Sequence, residues 1–141
     1  MSGGPKPEPV RFAGYAAIFG KRDAGGDTIR PGAFAATLAS RAASGQPLPL
    51  YWQHRPDKRI GWIDHVAEDT KGLRVIARLD NPDHPAAQAL KAGAVSGISF
   101  GYRAAEFAAV PEGRDLRRLD LFEVSLVTHP MQPFARVHLV A

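Results

Sequence analysis

The sequence contains no cysteine. That absence removes disulfide staples, thiolate zinc sites and a cysteine nucleophile together. Nothing in it asks for an oxidising compartment, so a cytoplasmic location is expected. No apolar run is long enough to span a bilayer, and no membrane partner is expected. Residues 1–9 are rich in Gly and Pro and lack the apolar stretch of a signal peptide. They read as a flexible tail ahead of one domain over residues 10–141. The histidine spacings do not form a zinc site, and no metal or cofactor is called for.

What is present is ordinary for a globular domain. The 141 residues are 45% hydrophobic and 23% charged, enough for one core without staples. The net charge of +4 permits attraction to an acidic partner. The basic residues do not cluster as a recognition helix requires, so no specific nucleic acid is expected. Arg114, Arg117 and Arg118 are the densest group, and Asp115 and Asp120 interrupt it, which reads as a solvated mixed-charge turn. A nucleic-acid-binding barrel would also need exposed stacking aromatics, whereas Tyr51 and Trp52 alternate as a core does.

Strand signals dominate. Residues 10–19 (VRFAGYAAIF) are apolar, with Phe12, Tyr15 and Phe19. Residues 48–53 (LPLYWQ) read as a short strand running into a polar loop, 54–59. Residues 60–67 and 73–79 read as a hairpin turning at 69–72. Residues 95–107 are strand-like but interrupted by Gly97 and Gly101. In 119–128 (LDLFEVSLVT), alternation puts Leu119, Leu121, Glu123, Ser125 and Val127 on one face. Residues 134–140 make a last strand. Two helices are expected: 31–41 with Pro31 in its first turn, and 82–92 capped by Asn81 or Asp83 and ended at Gly93. The fold class is α+β, mainly β: a small, mostly antiparallel barrel with short peripheral helices.

Two stretches contradict their local pattern, and such places tend to be functional or strained. The strand at 48–53 delivers His54 to its end beside a polar loop. A histidine titrates near neutral pH and can take a proton from a hydroxyl. On spacing alone, a surface histidine at a strand end reads better. In Val95-Ser96-Gly97-Ile98-Ser99-Phe100-Gly101-Tyr102, alternation leaves Gly97, Ser99 and Gly101 on a bare face with one hydroxyl. A plain bulged strand explains this equally well. Glu123, set among Leu121, Phe122, Val124 and Leu126, wants a partner if buried, either a histidine or an arginine. Ser125, on the same face, is the rival nucleophile. Together these residues have the logic of an activated hydroxyl: nucleophile, base and orienting acid. His65, His84 and His138 read as structural or solvated, and so does Arg103.

The order and length of these motifs resemble the prohead (capsid-maturation) serine proteases of tailed phages and gene transfer agents. The resemblance runs through FAGYAAIFG (12–20), GDTIRPGAFAATL (26–38), LPLYWQHRPDKRIGWI (48–63), LKAGAVSGISFGYRA (90–104) and LDLFEVSLVTHPMQPFARV (119–137). It implies His54, in Trp52-Gln53-His54 followed by Pro56, as base, and Ser99, in Gly97 to Gly101, as nucleophile. It implies Glu123, before Val124-Ser125-Leu126-Val127, as the acid. The distantly similar herpesvirus maturation protease uses a second histidine as third member. Here His129 falls on a loop before Pro130, and Glu123 is preferred. The resemblance implies a small mixed barrel and a protease inside the prohead. Its substrates would be scaffold, or the N-terminal scaffolding segment of the major capsid protein, and the protease itself. Such an enzyme is expected to be poorly active when dilute, with local concentration or a homodimer as its switch. The competing expectation is a non-catalytic capsid-assembly factor of the same fold.

Overall fold

The structure is a computed structural model that describes residues 7–141. Of the tail expected over 1–9, residues 1–6 lie outside the described residues. The chain runs β1 (Val10–Ile18), β2 (Asp27–Ile29), α1 (Ala35–Ser44), β3 (Leu48–Trp52), β4 (Arg55–Glu68), β5 (Gly72–Leu79), α2 (Pro85–Lys91), β6 (Gly97–Val110), β7 (Gly113–Val127) and β8 (Val137–Val140). Among the described residues no helix is long and apolar enough to cross a membrane.

One sheet takes all these strands in the order β2-β7-β3-β4-β5-β1-β8, with β6 paired along β7. Only β2 and β3 run parallel to β7; the other pairings are antiparallel. The sheet curls into a half-barrel. It closes at one end, where residues 135–137 bridge β1 and β6: Ile98 N–H donates to Ala135 C=O, and Tyr15 N–H to Arg136 C=O. Gly14 permits that closure, because a Cβ there would lie 2.4 Å from Arg136 O. Inside pack Phe12, Phe34, Leu50, Leu73, Val75, Leu79, Ile98, Leu119, Leu121, Val124 and Leu126, all nearly inaccessible. The expectation of an α+β, mainly β fold, a small and mostly antiparallel barrel with two or more short peripheral helices, is borne out, with the barrel a curled half-barrel and the helices α1 and α2.

Several boundaries differ from expectation for identifiable reasons. The region 54–59 is not a loop: β4 begins at Arg55, directly after a two-residue turn. The mixed-charge stretch 114–118 lies in β7 rather than in a turn, and Arg114 is spent on Asp27. Helix α1 starts at Ala35, beyond Pro31, because the Glu68 carboxylate takes the Gly32 and Phe34 N–H groups and holds residues 31–34 in turns. Helix α2 is capped by His84, whose Nδ1 accepts from Ala86 N–H, not by Asn81 or Asp83. The last strand is shorter, starting at Val137.

The alternation of β7 is also broken. Gly101 pairs with Glu123 but Tyr102 with Leu121, so Phe122 is an extra, bulged residue. Leu119 and Leu121 therefore face the core before the bulge, and Val124 and Leu126 after it. Glu123 and Ser125 are turned to the opposite face from Leu119 and Leu121, correcting the single face read from the sequence.

Strand β2 is pinned by an ion pair between the buried Asp27 and the partly exposed Arg114. Arg114 donates to both Asp27 oxygens, at 2.9 and 2.8 Å, and Tyr102 adds a bond of 2.6 Å. The Arg114 fork, and after it the Tyr102 hydroxyl, hold the Asp27 carboxyl below the usual carboxylate range against the opposing effect of burial. A depressed folded pKa stabilises above the unfolded value, about 3.9, and that stability is lost as pH falls through the folded value. Asp27→Asn is expected to cost about 1 kcal/mol at pH 7, because the Arg114 side chain it leaves behind keeps access to water. The gap from wild type should shrink as both are acidified below about pH 4. Urea unfolding at neutral and acid pH checks this; a gap independent of pH would assign the loss to packing instead.

Candidate functional site

The site lies where β3, β7 and β6 meet, on the outer face of the sheet. Antiparallel pairing sets Ser99 opposite Ser125 and Gly101 opposite Glu123. Residues directly opposite share a face, so Ser99, Gly101, Glu123 and Ser125 form one patch. Ile98 N–H points away from β7, to Ala135. By alternation Ser99 and Ser125 make a hydrogen-bonded pair, with Cα atoms about 5.5 Å apart.

His54 reaches this patch on a turn. Strand β3 runs parallel to β7, with Tyr51 beside Ser125 and Trp52 beside Leu126. Trp52 pairs with Arg55 in the antiparallel neighbour β4, leaving Gln53 and His54 as a two-residue hairpin loop. Both have positive φ, +53° and +61°, and they are the only such non-glycine residues among the described ones. That is the backbone of a type I′ turn, normally filled by Asn-Gly. Gln53 N–H donates to Leu126 C=O at 2.9 Å. The Gln53 side chain donates to Thr128 Oγ1 at 2.7 Å and accepts from Thr128 N–H at 3.1 Å. His54 N–H donates to Ser125 Oγ at 3.1 Å.

The His54 ring meets Glu123 through Nδ1 and Oε1 at 2.5 Å. The other carboxylate oxygen, Oε2, accepts from the Ser125 hydroxyl at 2.6 Å. Glu123 is 7% exposed and Ser125 wholly buried, yet both oxygens of the carboxylate are engaged. The imidazole side chain remains 40% exposed, with Nε2 free of protein partners among the described residues. Gly101 makes room for this arrangement: a Cβ there would stand 2.6 Å from Glu123 Oε1.

The structure thus brings His54 and Glu123 into direct contact and sets Ser99 on the same face. No hydrogen bond joins Ser99 to His54. The Ser99 residue is 4% exposed, and none of the hydrogen bonds among the described residues engages its hydroxyl. No buried side-chain oxygen of those residues lacks a partner, so the hydroxyl keeps some open surface. Ser125 differs: it is sealed, and its proton is given to a carboxylate. His129 is exposed on the bend after β7, and the His54 ring bonds to Glu123 instead. Arg103 is exposed and paired with Asp120 at 2.6 Å. It lies four residues from Ser99, about 13 Å along the strand. His138 stacks loosely on Tyr15. No group of three or more His, Asp or Glu among the described residues is arranged to hold a metal ion.

Sequence reasoning missed Gln53 and Thr128, and nothing in the sequence signals their clamp. It also missed Arg41, whose guanidinium caps the Leu121 and Phe122 carbonyls beside the bulge.

Residues 6–141 match the family described as caudovirus prohead serine protease. The chain is 36% identical over 127 residues to the prohead protease of Enterobacteria phage HK97, covering 84% of this chain and 55% of that protein. It therefore spans about half the length of that relative. In shape it is similar to the bacteriophage T4 capsid assembly protease, with a TM-score of 0.67, 10% identity, and coverage of 83% of this chain and 80% of the other. It is also similar to the KSHV protease solved with a hexapeptide phosphonate inhibitor, with a TM-score of 0.62, 12% identity, and coverage of 95% and 65%. At these identities the last two likenesses are of fold, and they bear out the expected herpesvirus-protease-like architecture.

Gly101→Ala is expected to push the Glu123 carboxylate off His54 while leaving the strand paired. The His54 Nδ1 proton resonance, far downfield when the pair is made, should return to an ordinary imidazole position with the far-UV spectrum unchanged. A retained resonance would show that Glu123 has room to yield.

Proposed function

The chain belongs to the caudovirus prohead serine protease family, and from that premise we propose that it is a serine endopeptidase with His54 as general base, Ser99 as nucleophile and Glu123 as orienting acid. The observation that carries this reading is the 2.5 Å contact of His54 with a nearly buried carboxylate, on the face that bears Ser99. Bonded through Nδ1, the neutral ring carries its proton there and leaves Nε2 as the acceptor. The Ser99 proton passes to Nε2 as Oγ attacks a peptide carbonyl. The imidazolium, stabilised by Glu123, then gives that proton to the leaving amine. The resulting ester is hydrolysed by a water activated by the same nitrogen. The missing Ser99–His54 hydrogen bond does not oppose this, since such bonds often tighten only when substrate is bound.

The outer edge of β6 supplies a place for substrate. After Ile98 it has no strand partner among the described residues. Alternation directs the Phe100 N–H and C=O to that open edge. An extended peptide can add there as a strand, and the Phe100 N–H, next to Ser99, is the nearest free donor for the oxyanion.

The likeness to phage capsid proteases supports a role in prohead maturation. The substrates would be scaffold, or the N-terminal scaffolding segment of the major capsid protein, and the enzyme itself, inside the immature capsid. The test is co-expression with the major capsid protein of the same particle, comparing wild type with Ser99→Ala by intact mass. The capsid protein should be shortened only with wild type. Shortening that persists in Ser99→Ala would remove Ser99 from its role. No shortening with either folded protein would favour the non-catalytic assembly factor.

Confinement in a shell suggests activation by local concentration or by a homodimer. Activity per molecule should then rise with protein concentration when scaffold and capsid protein are absent. A flat dependence would count against such a switch.

A further inference from the structure

The proposed triad leaves one polar side chain of the site without a role. Ser125 is wholly buried on the face shared with Ser99 and Glu123. A hydroxyl has one proton and two lone pairs. Here the proton goes to Glu123 Oε2, and a lone pair accepts the His54 N–H. With no open surface, Ser125 offers its oxygen to no substrate in this arrangement, whereas Ser99 keeps some. One oxygen atom nevertheless touches both members of the acid–base pair, through the carboxylate of one and the backbone of the other.

The consequence is geometric. The Glu123 carboxylate is planar and is held at both oxygens, by His54 at 2.5 Å and by Ser125 at 2.6 Å. Without Ser125 it would be free to rotate about its own axis. His54 sits on a left-handed backbone, at φ +61°, that side-chain-bearing residues adopt uncommonly and at some cost. Its N–H bond to Ser125 is one constraint. The two bonds between the Gln53 side chain and Thr128, on the other side of the same turn, are the second.

We propose that Ser125 is a positioning residue of the reaction: its hydroxyl fixes the His54 backbone and the Glu123 carboxylate relative to each other, while the Gln53–Thr128 clamp holds the turn from the far side. This rests on reading His54 as base and Glu123 as its orienting acid. It makes Ser125 a requirement for rate rather than for substrate affinity.

The test compares wild type with Ser125→Ala, Ser125→Cys and Thr128→Val on the full chain, with two readouts. One is the His54 Nδ1 proton resonance, which needs no catalysis. The other is steady-state cleavage of the capsid protein. Ser125→Ala should lose or broaden the downfield resonance and lower kcat by about 10- to 100-fold with KM nearly unchanged, as expected when a catalytic group drifts by about 1 Å. Ser125→Cys, close in volume but only a weak donor, should fall between wild type and Ser125→Ala. It carries the test if the alanine variant does not fold. Thr128→Val, at an exposed position, should give a smaller fall in kcat of the same kind.

Wild-type resonance and kcat in both Ser125 variants would overturn the proposal and make Ser125 mere filling. Covalent labelling of wild type at Ser125 by a fluorophosphonate would overturn it as well. If wild type cuts nothing, the enzymatic reading fails separately. The resonance alone then decides whether Ser125 holds the pair: its loss in Ser125→Ala supports the positioning, and its retention refutes it.

Discussion

Every part of the site depends on β7 and on the need to satisfy its buried backbone. The strand runs from Gly113 to Val127 with β6 along one side. On the other side no single neighbour is long enough, and three partners share the work. Strand β2 pairs with 114–116, and β3 pairs with 124–126. Between them helix α1 and its approach fill the gap. Leu119 N–H reaches Ala33 C=O, Leu121 N–H reaches the Thr37 hydroxyl, and Arg41 donates to the Leu121 carbonyl. Buried N–H and C=O groups left unpaired are costly, so the place of α1 is set by the sheet rather than by helix propensity. Helix α1 carries no charge-complementing first turn and no side-chain cap, which fits an element held from outside.

The bulge at Phe122 then decides which chemistry the strand can offer. In an unbroken strand Glu123 would share the face of Leu119 and Leu121 and enter the core, where an unpaired carboxylate is prohibitive. The extra residue turns it outward, opposite Gly101, where the absent side chain leaves room for it to lean toward His54. The carboxylate stays nearly buried but has two donors, and burial strengthens both bonds. The turn that brings His54 carries strain of roughly 1–2 kcal/mol at each of two residues. Four hydrogen bonds hold it: one from the Gln53 backbone, two through the Gln53 side chain and one from the His54 backbone. At about 1 kcal/mol each these are enough to offset the strain. The turn is therefore fixed without the glycine that such a backbone prefers.

The elements with strong local signals were legible in the sequence. The apolar run of β1 is one, and the hairpin of β4 and β5, turning at Asp69, is another. The bare face around Ser99 was legible too, because β6 keeps its alternation through Gly97 and Gly101. Most of what could not be read depended on residues distant in sequence. The phase of β7 flips at Phe122, whose bulge is supported by Arg41 some 81 positions earlier. The start of α1 is set by Glu68, 34 to 36 positions later. The cap of α2 was missed for a local reason: a histidine takes the place of the usual Asn or Asp. The local pattern put Gln53 at the end of a strand and His54 at the start of a loop, and long-range bonds to Ser125, Leu126 and Thr128 made the two a tight turn instead. The nearness of Ser125 to Glu123 was visible, but a side-chain pattern cannot tell a nucleophile from a brace. Burial of Ser125 and the hydrogen bond its hydroxyl gives to Glu123 are what favour the brace in the proposed reading.

The three elements of the site differ in how freely they can move. Ser99 and Glu123 sit on β6 and β7, locked together by a ladder that continues on both sides of them. Neither can shift without breaking sheet hydrogen bonds. His54 alone comes in on a turn, and its ring keeps exposed surface while the carboxylate does not. Any adjustment that closes the gap between imidazole and Ser99 must therefore come from the ring and the two-residue turn, pivoting on the Glu123 contact. On the proposed reading, a strand of substrate added along the open edge of β6 would lie next to Ser99, and the carbonyl held between Ser99 and Nε2 would cover the exposed ring. Exclusion of water strengthens charge interactions around a developing imidazolium. Under the proposed roles substrate itself completes the site: the rigid ladder would supply acid and nucleophile in register, and the occupied edge would supply the dry environment in which the base works.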